Sequence, residues 1–401
     1  MNKLPEDHRS IARRLDLLHF QEEAPGMVFW HPPGFTLLRV LEEASRAASN
    51  QEGYLEVRTP QVLRAPIWEQ SGHWAHFQEG MFRVGDPAIP AALKPVSCPA
   101  HIGIVNRRSL SWRELPYRVA ELGLVHRDEQ QGALSGLLRL RQFTQDDGHI
   151  FCEPAQLVEE IRRFCASIGP FYAAFGFDRV EVGLSTRPEA RLGDDAGWDF
   201  AEAALAEGAA KAGLNPAIQP GEGAFYGPKL EFVLIDGAGR RWQCGTMQVD
   251  LVMPERFDVE YVGRDGQRRR PVMLHRARYG SLERFMGLLL EHHQGRLPGW
   301  LAPSQCWVLP IAEEHAAWAE HVRATLAAAG RRVALRSSEE SLGRRIAEAH
   351  QQGVPAVLVV GGREVAARSV AWRQGAGGSA PTPLQEAVER LNALCRCPLD
   401  P

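Results

Sequence analysis

The sequence predicts an α+β protein in which an antiparallel sheet flanked by helices is followed by a small α/β domain. The first observation is a succession of strand-like segments in the middle of the chain, at 179–185, 229–235, 241–249 and 258–262. Such a succession indicates a mainly antiparallel sheet. The second observation is a change of character after residues 300–303, where short apolar runs begin to alternate with helical patterns. That alternation is typical of a small α/β domain.

Ahead of the sheet, residues 36–50 predict an amphipathic helix. The apolar positions on one side of this helix are Leu37, Leu38, Val40, Leu41 and Ala44. Their spacing is that of a helix with one buried face. Residues 54–60 then predict a strand that ends at Pro60. Because proline cannot donate a ladder hydrogen bond, this segment suits a strand end or an edge at an interface.

Two further helices complete the first part of the chain. The pattern over about 154–175 predicts a helix that ends near Gly176. Residues 271–275 predict a strand that leads into a second helix, with Ser281 as its N-cap. The apolar stripe of that helix consists of Leu282, Phe285, Met286 and Leu289. Arg284 therefore emerges from a largely apolar helix.

The sequence divides into a larger domain at 1–300 and a smaller α/β domain at 304–401. The elements predicted in the smaller domain are a strand at 306–309, a helix at 313–329 closed by Gly330, a strand at 332–336, a helix at 339–352 closed by Gly353, and a strand at 356–360. The last run is continuously apolar, which is typical of a strand covered on both faces. The glycine-rich run at 374–381 predicts a flexible loop.

Composition limits the classes of function. With 401 residues, 24% charged and 44% hydrophobic, the chain has the composition of an ordinary globular protein. Its longest apolar run is too short to span a bilayer and its start does not resemble a signal peptide, so we expect a cytoplasmic protein without a membrane segment. Seven scattered cysteines argue against a disulfide framework. A net charge of −3 excludes an overall basic nucleic-acid-binding protein, although a local basic face remains possible.

The most informative segment is the polar run that follows the sequence HRDE at 126–129. A strand presents alternate side chains on one face. Here that face would carry Arg139, Arg141, Phe143, Gln145, Asp147 and His149. Leu140 and Ile150 would point to the other side. Because the first face is too polar for a core, we interpret it as the floor of an active site. The alternative is a solvated strand, for which this row of side chains is a poor composition.

Three residues could share a metal ion: Cys98, His149 and His275. One thiolate and two imidazoles suit Zn²⁺, and three protein ligands leave a fourth position open for substrate. On spacing alone the triple is weak, because each residue has an ordinary alternative as a core cysteine or a hydrogen-bonded histidine.

Eight short segments give a more specific indication when they are taken together. They are QEEAPGMVFW at 21–30, WEQSGHW at 68–74, HRDE at 126–129, FTQDDGHIF at 143–151, LSTRPE at 184–189, GEGAFYGPK at 221–229, QCGT at 243–246 and GSLER at 280–284. In this order the chain resembles the class II aminoacyl-tRNA synthetases, and among them the threonine-specific enzymes. The resemblance implies a six- or seven-stranded antiparallel sheet, a homodimer built around the Pro60 segment and a C-terminal anticodon-binding domain. It also implies ATP-dependent activation of L-threonine to threonyl-adenylate and transfer to the 3′ end of threonine tRNA.

The resemblance implies a role in ATP binding for seven residues. They are Arg127 at the α-phosphate, Glu129 at the adenine amino group, Phe143 stacked on adenine, Arg139 and Arg284 beside the γ-phosphate and base, Gln243 facing the nucleotide, and Lys229 near the phosphates. Only four of the 46 lysines and arginines are lysines, so a retained lysine at 229 is of interest. ATP would enter with Mg²⁺. The work of Arg127 and Arg284 would be positioning and charge stabilisation as pyrophosphate leaves.

Threonine recognition in this family uses zinc, which takes the amino nitrogen and β-hydroxyl of the substrate as ligands. The resemblance places Asp147 as the carboxylate that accepts the hydroxyl proton. Gln145, Tyr226 and Gln248 would surround the amino acid. His73 corresponds to the candidate base for transfer to the tRNA ribose, so the implied catalytic residues are Arg127, Arg284 and His73.

The chain also departs from the family pattern. The match begins near residue 7, so we expect a truncated form without the N-terminal editing region, which would activate serine and release it uncorrected. Departures within the motifs are Ser97 and Ala100 for an expected Asn and Gly, and Ser135 and Gln142 for an expected His and Gly. AWRQGAGG at 371–378 stands where an arginine-rich anticodon-reading run is expected. We therefore expect intact catalysis, weakened tRNA recognition and little dependence on the anticodon.

Parts of the sequence also suggest three other functions. The first is a specialised paralogue, either an inhibitor-resistance duplicate or an aminoacyl-adenylate former that serves a carrier protein or a biosynthetic pathway; the ATP and zinc residues fit it equally well. A binding protein with an inactive synthetase fold would have lost some of these residues, and all are present. A protein kinase, suggested by the His126–Asp128 sequence, is excluded because Ala133 stands where its asparagine is required.

Overall fold

The computed structural model describes residues 6–375 and 380–399. The chain forms two compact units. The larger unit comprises residues 21–27 and 42–286, and the smaller unit comprises residues 6–20, 28–41 and the described residues from 287 onward. Within the described ranges, no helix is both long and apolar enough to cross a membrane. The predicted fold class, an antiparallel sheet flanked by helices and followed by a small α/β sheet, is confirmed.

The larger unit is built on an eight-stranded sheet. In spatial order its strands are Ala217–Gln219, Val180–Ser185, Lys229–Ile235, Arg241–Asp250, Val272–Ala277, Gln142–Cys152, Tyr117–His126 and Leu55–Glu56. The six central strands are antiparallel throughout, and the short strand at each edge pairs in parallel. The antiparallel part therefore has the six strands that the resemblance implied, and two parallel edge strands extend it.

Helices and two small sheets surround this sheet. The helices of the larger unit are Ala65–Ser71, His73–His76, Cys98–Val105, Leu157–Ala174, Asp195–Lys211 and Val252–Arg256. Helices Pro32–Gln51 and Leu282–His292 each contain a boundary between the two units. The small sheets consist of Val62–Arg64, Ala91–Leu93 and Arg83–Val84, and of Arg268–Arg269, Tyr261–Val262 and Leu110–Ser111.

Two strand predictions need correction. The segment at 54–60 contributes only Leu55–Glu56 to the sheet, where it pairs in parallel at the edge. The segment at 258–262 contributes only Tyr261–Val262, and it belongs to a separate three-stranded sheet. Apolar alternation predicts extended backbone but does not specify the sheet that pairs with it, because pairing depends on partners distant in the chain.

An aromatic cluster packs helix Leu157–Ala174 against the start of helix Leu282–His292. Its members are Phe171, Tyr172, Phe175, Phe177, Tyr279 and Phe285, all of them buried. The ring of Phe285 lies 4.6 Å from that of Tyr279 and 5.0 Å from that of Phe175, centroid to centroid. Ser281 caps the second helix as predicted, since the Arg284 N–H donates to the Ser281 Oγ at 3.2 Å. The cluster therefore holds the helix turn that carries Arg284.

The smaller unit contains a five-stranded sheet in the order Val333–Leu335, Cys306–Pro310, Ala356–Val360, Ser369–Arg373 and Ala380–Pro383. The first three strands are parallel and the last two are antiparallel additions. Its helices are His8–Arg14, Ala316–Ala328, Leu342–Gln351, Gly362–Ala367 and Leu384–Leu394, and a two-stranded ladder joins Leu18–His19 to Phe29–Trp30. The apolar strand Ala356–Val360 is buried along its whole length, as its composition predicts.

The loop predicted at 374–381 is only partly a loop. Ala380 and Pro381 begin the edge strand Ala380–Pro383, which pairs with Ser369–Arg373. Residues 376–379 lie outside the described residues, so half of the glycine-rich run at 374–381 is not described. A strand that contains two prolines is tolerated here because it lies at the sheet edge, where one row of backbone groups needs no partner.

Replacing Phe285 by alanine removes a fully buried ring from the centre of the aromatic cluster. We expect the substitution to lower the free energy of unfolding of the larger unit by about 3–5 kcal/mol. Phe200→Ala is the matched control, because Phe200 is 42% exposed on helix Asp195–Lys211 and should cost little. Urea unfolding followed by circular dichroism measures both. Equal losses in the two variants would contradict the assignment of Phe285 to the core.

Candidate active site

A cavity of about 500 Å³ opens over the central sheet of the larger unit. It collects thirteen side chains that the sequence singled out: Cys98, Arg127, Glu129, Arg139, Phe143, Gln145, Asp147, His149, Tyr226, Gln243, Gln248, His275 and Arg284. These residues come from helices Cys98–Val105 and Leu282–His292, from the central strands and from the loops that join the strands. Residues up to 186 positions apart in sequence therefore share one cavity.

The floor of the cavity follows the alternation of strand Gln142–Cys152. Phe143, Gln145, Asp147 and His149 all line it. Arg141, which was expected on the same face, does not line the cavity. Its Nε donates to the Glu129 carbonyl at 2.8 Å. The reason is that the strand begins at Gln142, so the period of two does not extend to Arg141.

Cys98, His149 and His275 form a cluster that could hold a metal ion. One ligand atom from each lies within 4.8 Å of the others. The two imidazoles approach most closely, with 3.0 Å between His149 Nε2 and His275 Nδ1. Cys98 starts its helix, and His149 and His275 are direct partners in the ladder of neighbouring antiparallel strands. Strand register and a helix start therefore bring together three residues that are distant in sequence.

The protein surroundings favour the neutral forms of Cys98 and His149. Burial raises the pKa of the Cys98 thiol well above its usual value, and Asp147 and Asp250 add to the effect. Burial also lowers the pKa of His149 well below its usual value, with the neighbouring His275 and His101 contributing. A bound divalent cation would reverse the balance at Cys98, because it stabilises the thiolate and takes the imidazole lone pairs.

His275 is oriented by a carboxylate behind it. Its Nε2 donates to Asp250 Oδ2 at 2.8 Å, and the other oxygen of Asp250 accepts from the N–H groups of Val252 and Met253, each at 2.8 Å. Asp250 is fully buried. This arrangement leaves Nδ1 of His275 as the unprotonated nitrogen that faces His149. The donor set of one sulfur and two imidazole nitrogens therefore fits Zn²⁺.

The arginines occupy a different part of the cavity. The Arg127 guanidinium lies 5.1 Å from the Phe143 ring centroid, and burial lowers its pKa. The Nε of Arg284 is buried and makes no hydrogen bond within the described parts of the chain. Glu129 accepts from Arg139 at 2.8 Å. A half-buried arginine whose buried Nε is unpaired at the wall of a cavity is suited to bind an anion such as a phosphate.

The polar side chains beside the metal cluster are only partly engaged by the protein. Burial raises the pKa of Asp147 and that of the Tyr226 hydroxyl. Gln248 donates to the Gly227 carbonyl at 3.1 Å, and Gln243 makes a long contact of 3.4 Å with the Thr246 hydroxyl. The buried Oε1 of Gln145 has no hydrogen-bond partner within the described residues. The cavity therefore holds polar groups that a polar ligand could satisfy.

Two further residues singled out in the sequence, His73 and Lys229, do not line the cavity. His73 is buried beside Trp68, with its Nδ1 at 2.8 Å from the Ser71 Oγ. Lys229 lies opposite Gln248 in the strand ladder and pairs with Glu231 at 2.5 Å.

Sequence reasoning missed three buried residues next to the cluster: Lys94, His101 and Glu121. His101 contacts His149 through an Nδ1 to Nδ1 distance of 2.7 Å and reaches Glu121 through its other nitrogen at 3.0 Å. Two features of the sequence could have pointed to His101 and Lys94. His101 follows Cys98 by three residues in a helix and so shares a face with it, and Lys94 is one of only four lysines in the chain.

The comparisons with known proteins agree with this architecture. The family model "tRNA synthetase class II core domain (G, H, P, S and T)" matches residues 82–293, which is more than half of the chain. The chain belongs to the class II aminoacyl-tRNA synthetases. A second model, "Anticodon binding domain", matches residues 305–394. The family resemblance inferred from the sequence is therefore confirmed.

Within this family, the chain is similar to curated threonine–tRNA ligases. The chain is 49% identical over 388 residues to the threonine–tRNA ligase of Thiobacillus denitrificans and 47% identical over 408 residues to that of Hyphomonas neptunium. These matches cover 96% and 98% of this synthetase chain, but only 61% and 62% of the two relatives. The chain thus spans about three fifths of the length of the curated relatives it matches.

Among solved structures, the chain is similar to the RNA binding domain of threonyl-tRNA synthetase from Cryptosporidium parvum Iowa II, with a TM-score of 0.94 and 35% identity. That match covers 97% of this chain and 98% of the other. The putative threonyl-tRNA synthetase ThrRS-1 from Aeropyrum pernix follows with a TM-score of 0.84 and 28% identity, covering 98% and 96% of the two chains.

The buried His73 makes the stability of this synthetase sensitive to acid. Burial, with charges from His275 and Arg127, lowers its pKa to about 4 from about 6.5. The unfolded chain therefore binds a proton that the folded chain rejects, so stability falls as the pH falls from about 6.5 towards 4. Between pH 7.5 and pH 5 we expect the wild type to lose ~2 kcal/mol more than His73→Asn.

Urea unfolding of both proteins across this pH range measures the difference. His321→Asn removes an exposed histidine and is the control for the loss of a histidine as such. Parallel pH profiles for the wild type and His73→Asn would show that His73 does not cause the acid sensitivity.

Proposed function

We propose that this chain is an ATP-dependent threonine–tRNA ligase, which forms threonyl-adenylate and transfers the threonyl group to the 3′ end of threonine tRNA. The observation that carries the proposal is a single cavity in which a Cys–His–His cluster lies beside Asp147, while Arg127 and Arg284 lie in the same cavity. An enzyme that joins an amino acid to a nucleotide needs polar or metal-binding groups for the amino acid and cations for the triphosphate within one site. The threonine–tRNA ligase names of the relatives at 47–49% identity support the assignment.

In the first step a carboxylate oxygen of threonine bonds to the α-phosphorus of ATP, and the bond from that phosphorus to the bridging oxygen breaks as pyrophosphate leaves. Arg127 would hold the α-phosphate, and the unpaired Nε of Arg284 would take a phosphate oxygen. Phe143 would stack on adenine, with Glu129, Arg139 and Gln243 around the nucleotide. Mg²⁺ would accompany ATP. These residues act by positioning and by charge stabilisation.

Threonine would bind at the other end of the cavity. Cys98, His149 and His275 would hold Zn²⁺, which when bound supplies a Lewis acid for the amino nitrogen and hydroxyl of the substrate. Asp147 would accept the hydrogen bond of the substrate hydroxyl. Gln145, Tyr226 and Gln248 would complete the polar surroundings. A site built around a hydroxyl group rejects valine, because valine would leave these polar groups unpaired.

For the transfer step the proposal assigns His73 as the proton acceptor. Its low pKa keeps the ring neutral, as an acceptor requires, but also makes it a weak base. Lys229 would contact the phosphates by exchanging its ion pair with Glu231.

The proposal extends to the organisation of the protein. Residues 1–300 would form the catalytic domain, and residues 304–401 would form the tRNA-binding domain. A homodimer would be built around the Pro60 segment, where Leu55 and Val62 expose more than half of their apolar side chains. Charging of tRNA would place the protein in the cytoplasm. A specialised paralogue is not favoured, because the similar proteins at 47–49% identity are named threonine–tRNA ligases.

The function is tested by pyrophosphate exchange with single amino acids, followed by charging of total tRNA. We expect exchange with threonine, with serine reduced by about 10- to 200-fold in kcat/KM and valine by about 10⁴-fold. Threonine should then be transferred to tRNA. Exchange without tRNA charging would favour the specialised paralogue, and no threonine-dependent exchange would contradict the proposed function.

Removing one metal ligand should remove metal and activity together. We expect Cys98→Ser to lose stoichiometric zinc and threonine-dependent exchange, because a hydroxyl is a much poorer zinc ligand than a thiolate. Elemental analysis and the exchange assay measure the two effects. Cys165→Ala is the control, since Cys165 is buried in helix Leu157–Ala174 and does not line the cavity. Active wild-type protein without zinc would contradict the metal assignment.

A further inference from the structure

A buried row of polar side chains lies behind His149, on the side away from His275. It runs from Lys94 through Glu121 to His101, and His101 contacts His149. None of these side chains is more than 3% exposed. The family match covers these residues, but the chemistry proposed above uses none of the three. Charged and polar groups buried this deeply are costly unless each has a partner, so their hydrogen bonds can be assigned one by one.

The hydrogen bonds at Glu121 show that its carboxylate is ionised. One oxygen accepts from the Thr59 N–H at 2.8 Å and from Lys94 Nζ at 3.0 Å. The other accepts from the Thr59 hydroxyl at 2.8 Å and from His101 Nε2 at 3.0 Å. Three of these groups are donors whatever the tautomer of His101: the Thr59 N–H, Lys94 Nζ, and the Thr59 hydroxyl, whose oxygen itself accepts from Lys94 Nζ at 2.8 Å. Together with the balancing charge of Lys94 in the interior they assign Glu121 as a carboxylate.

This arrangement determines the proton positions on the two histidines. His101 must carry its hydrogen on Nε2 to donate to Glu121, so Nδ1 of neutral His101 is an acceptor. His149 then donates from its own Nδ1, at 2.7 Å from His101 Nδ1. The remaining nitrogen of His149, Nε2, is left with a free lone pair directed towards His275 Nδ1, 3.0 Å away.

The same logic applies from the opposite side, where Asp250 fixes the hydrogen of His275 on Nε2. The lone pairs of His149 Nε2 and His275 Nδ1 therefore face each other, with 3.0 Å between the two nitrogen atoms. Two facing acceptors repel unless a cation lies near both of them. The buried row and Asp250 thus prepare both imidazoles as metal ligands before any metal is bound.

We propose that His101, Glu121 and Lys94 form a positioning relay that fixes His149 in the tautomer whose Nε2 can bind the metal ion. The identity of the metal as zinc rests on the proposed function, whereas the tautomer argument holds for any divalent cation bound by this cluster. The relay touches neither substrate nor metal and acts only through His149. Partners of this kind typically change metal affinity by about 10- to 100-fold when they are removed.

Three substitutions separate a relay from simple packing. His101→Phe keeps the ring but removes both nitrogens. His101→Asn places an amide oxygen near the position of Nδ1 and so keeps an acceptor for His149. Glu121→Gln keeps the shape but presents an amide donor to His101, which reverses the direction of the hydrogen bonds and places the hydrogen of His149 on Nε2.

The matched control is Glu160→Gln. Glu160 is buried and pairs with Arg118 through two hydrogen bonds of 2.6 and 2.7 Å. Arg118 lies on the same strand as Glu121, Tyr117–His126. The control therefore breaks a comparable buried ion pair on the same sheet without a hydrogen-bonded route to His149. Circular dichroism and the urea midpoint of each variant establish that the proteins compared are folded.

The measurement is the dissociation constant for zinc, obtained by competition with a chromophoric chelator on the full-length chain. We expect His101→Phe and Glu121→Gln to weaken zinc binding by about 10- to 100-fold, and His101→Asn to recover at least about threefold of the loss. Glu160→Gln should bind zinc as the wild type does. Two spectra complete the test. The first is the visible absorption of the cobalt-substituted protein. The second is the ¹⁵N chemical shifts of the His149 ring in metal-free protein, where Glu121→Gln should move the hydrogen from Nδ1 to Nε2.

Wild-type zinc affinity in folded His101→Phe and Glu121→Gln would overturn the relay, as would an equal loss in Glu160→Gln or an unchanged His149 tautomer in Glu121→Gln. A wild-type chain that binds no divalent metal would overturn both the relay and the metal part of the proposed function. If zinc binding responds to the variants as expected but threonine is not activated, the relay stands and the proposed function fails.

Discussion

The register between strands Gln142–Cys152 and Val272–Ala277 is the constraint on which the site depends. It pairs His149 directly with His275, and the next pairing places Gln248 opposite His275. Side chains at paired positions point to the same face of a sheet, so one row across three strands carries both imidazoles and the amide of Gln248, which lines the cavity. A slip of one residue would turn His149 to the other face. The metal cluster is thus a consequence of strand pairing over long sequence distances.

The opposite face of the same strand provides the anchor for this register. Asp146, which alternates with Asp147, accepts hydrogen bonds from the backbone N–H groups of Arg278, Tyr279 and Gly280 at 2.7–3.1 Å. These bonds hold the turn between strand Val272–Ala277 and the helix that carries Arg284. Arg276 crosses the strand at Gly148, where a Cβ atom would lie 2.4 Å from its Nε. The adjacent carboxylates therefore differ in role: Asp146 stabilises the turn after the strand, and Asp147 lines the cavity.

Alternation along a single strand predicted the cavity floor, because the side-chain period of two is a local property of the chain. Phe143 to His149 follow it, whereas Arg141 precedes the strand and does not. The residues behind His149 could not be found in this way. His101 and Glu121 are 48 and 28 positions from His149. Glu121 is brought near His149 by the pairing of strands Tyr117–His126 and Gln142–Cys152, and His101 is brought there by the packing of helix Cys98–Val105 against the sheet. The edge strand Ala380–Pro383 was missed for another reason, since its prolines suggest a loop unless its edge position is known.

The order of residues along the cavity floor agrees with the order of groups in the proposed reaction. Phe143 and His149 are six residues apart on one strand, which at ~3.3 Å per residue spans about 20 Å. In the proposed function the adenine lies at the Phe143 end and the threonine amino group and hydroxyl lie at the His149 end, so the reacting carboxylate and α-phosphate meet between them. Gln145 and Asp147 occupy that interval, and Arg127 lies over the ring of Phe143. Because a strand is among the most rigid elements of a fold, the distance between the two ends of the cavity is determined by backbone geometry. In the proposed reaction the sheet would therefore align the two substrates before any side chain moves, which would reduce the entropy cost of bringing them together.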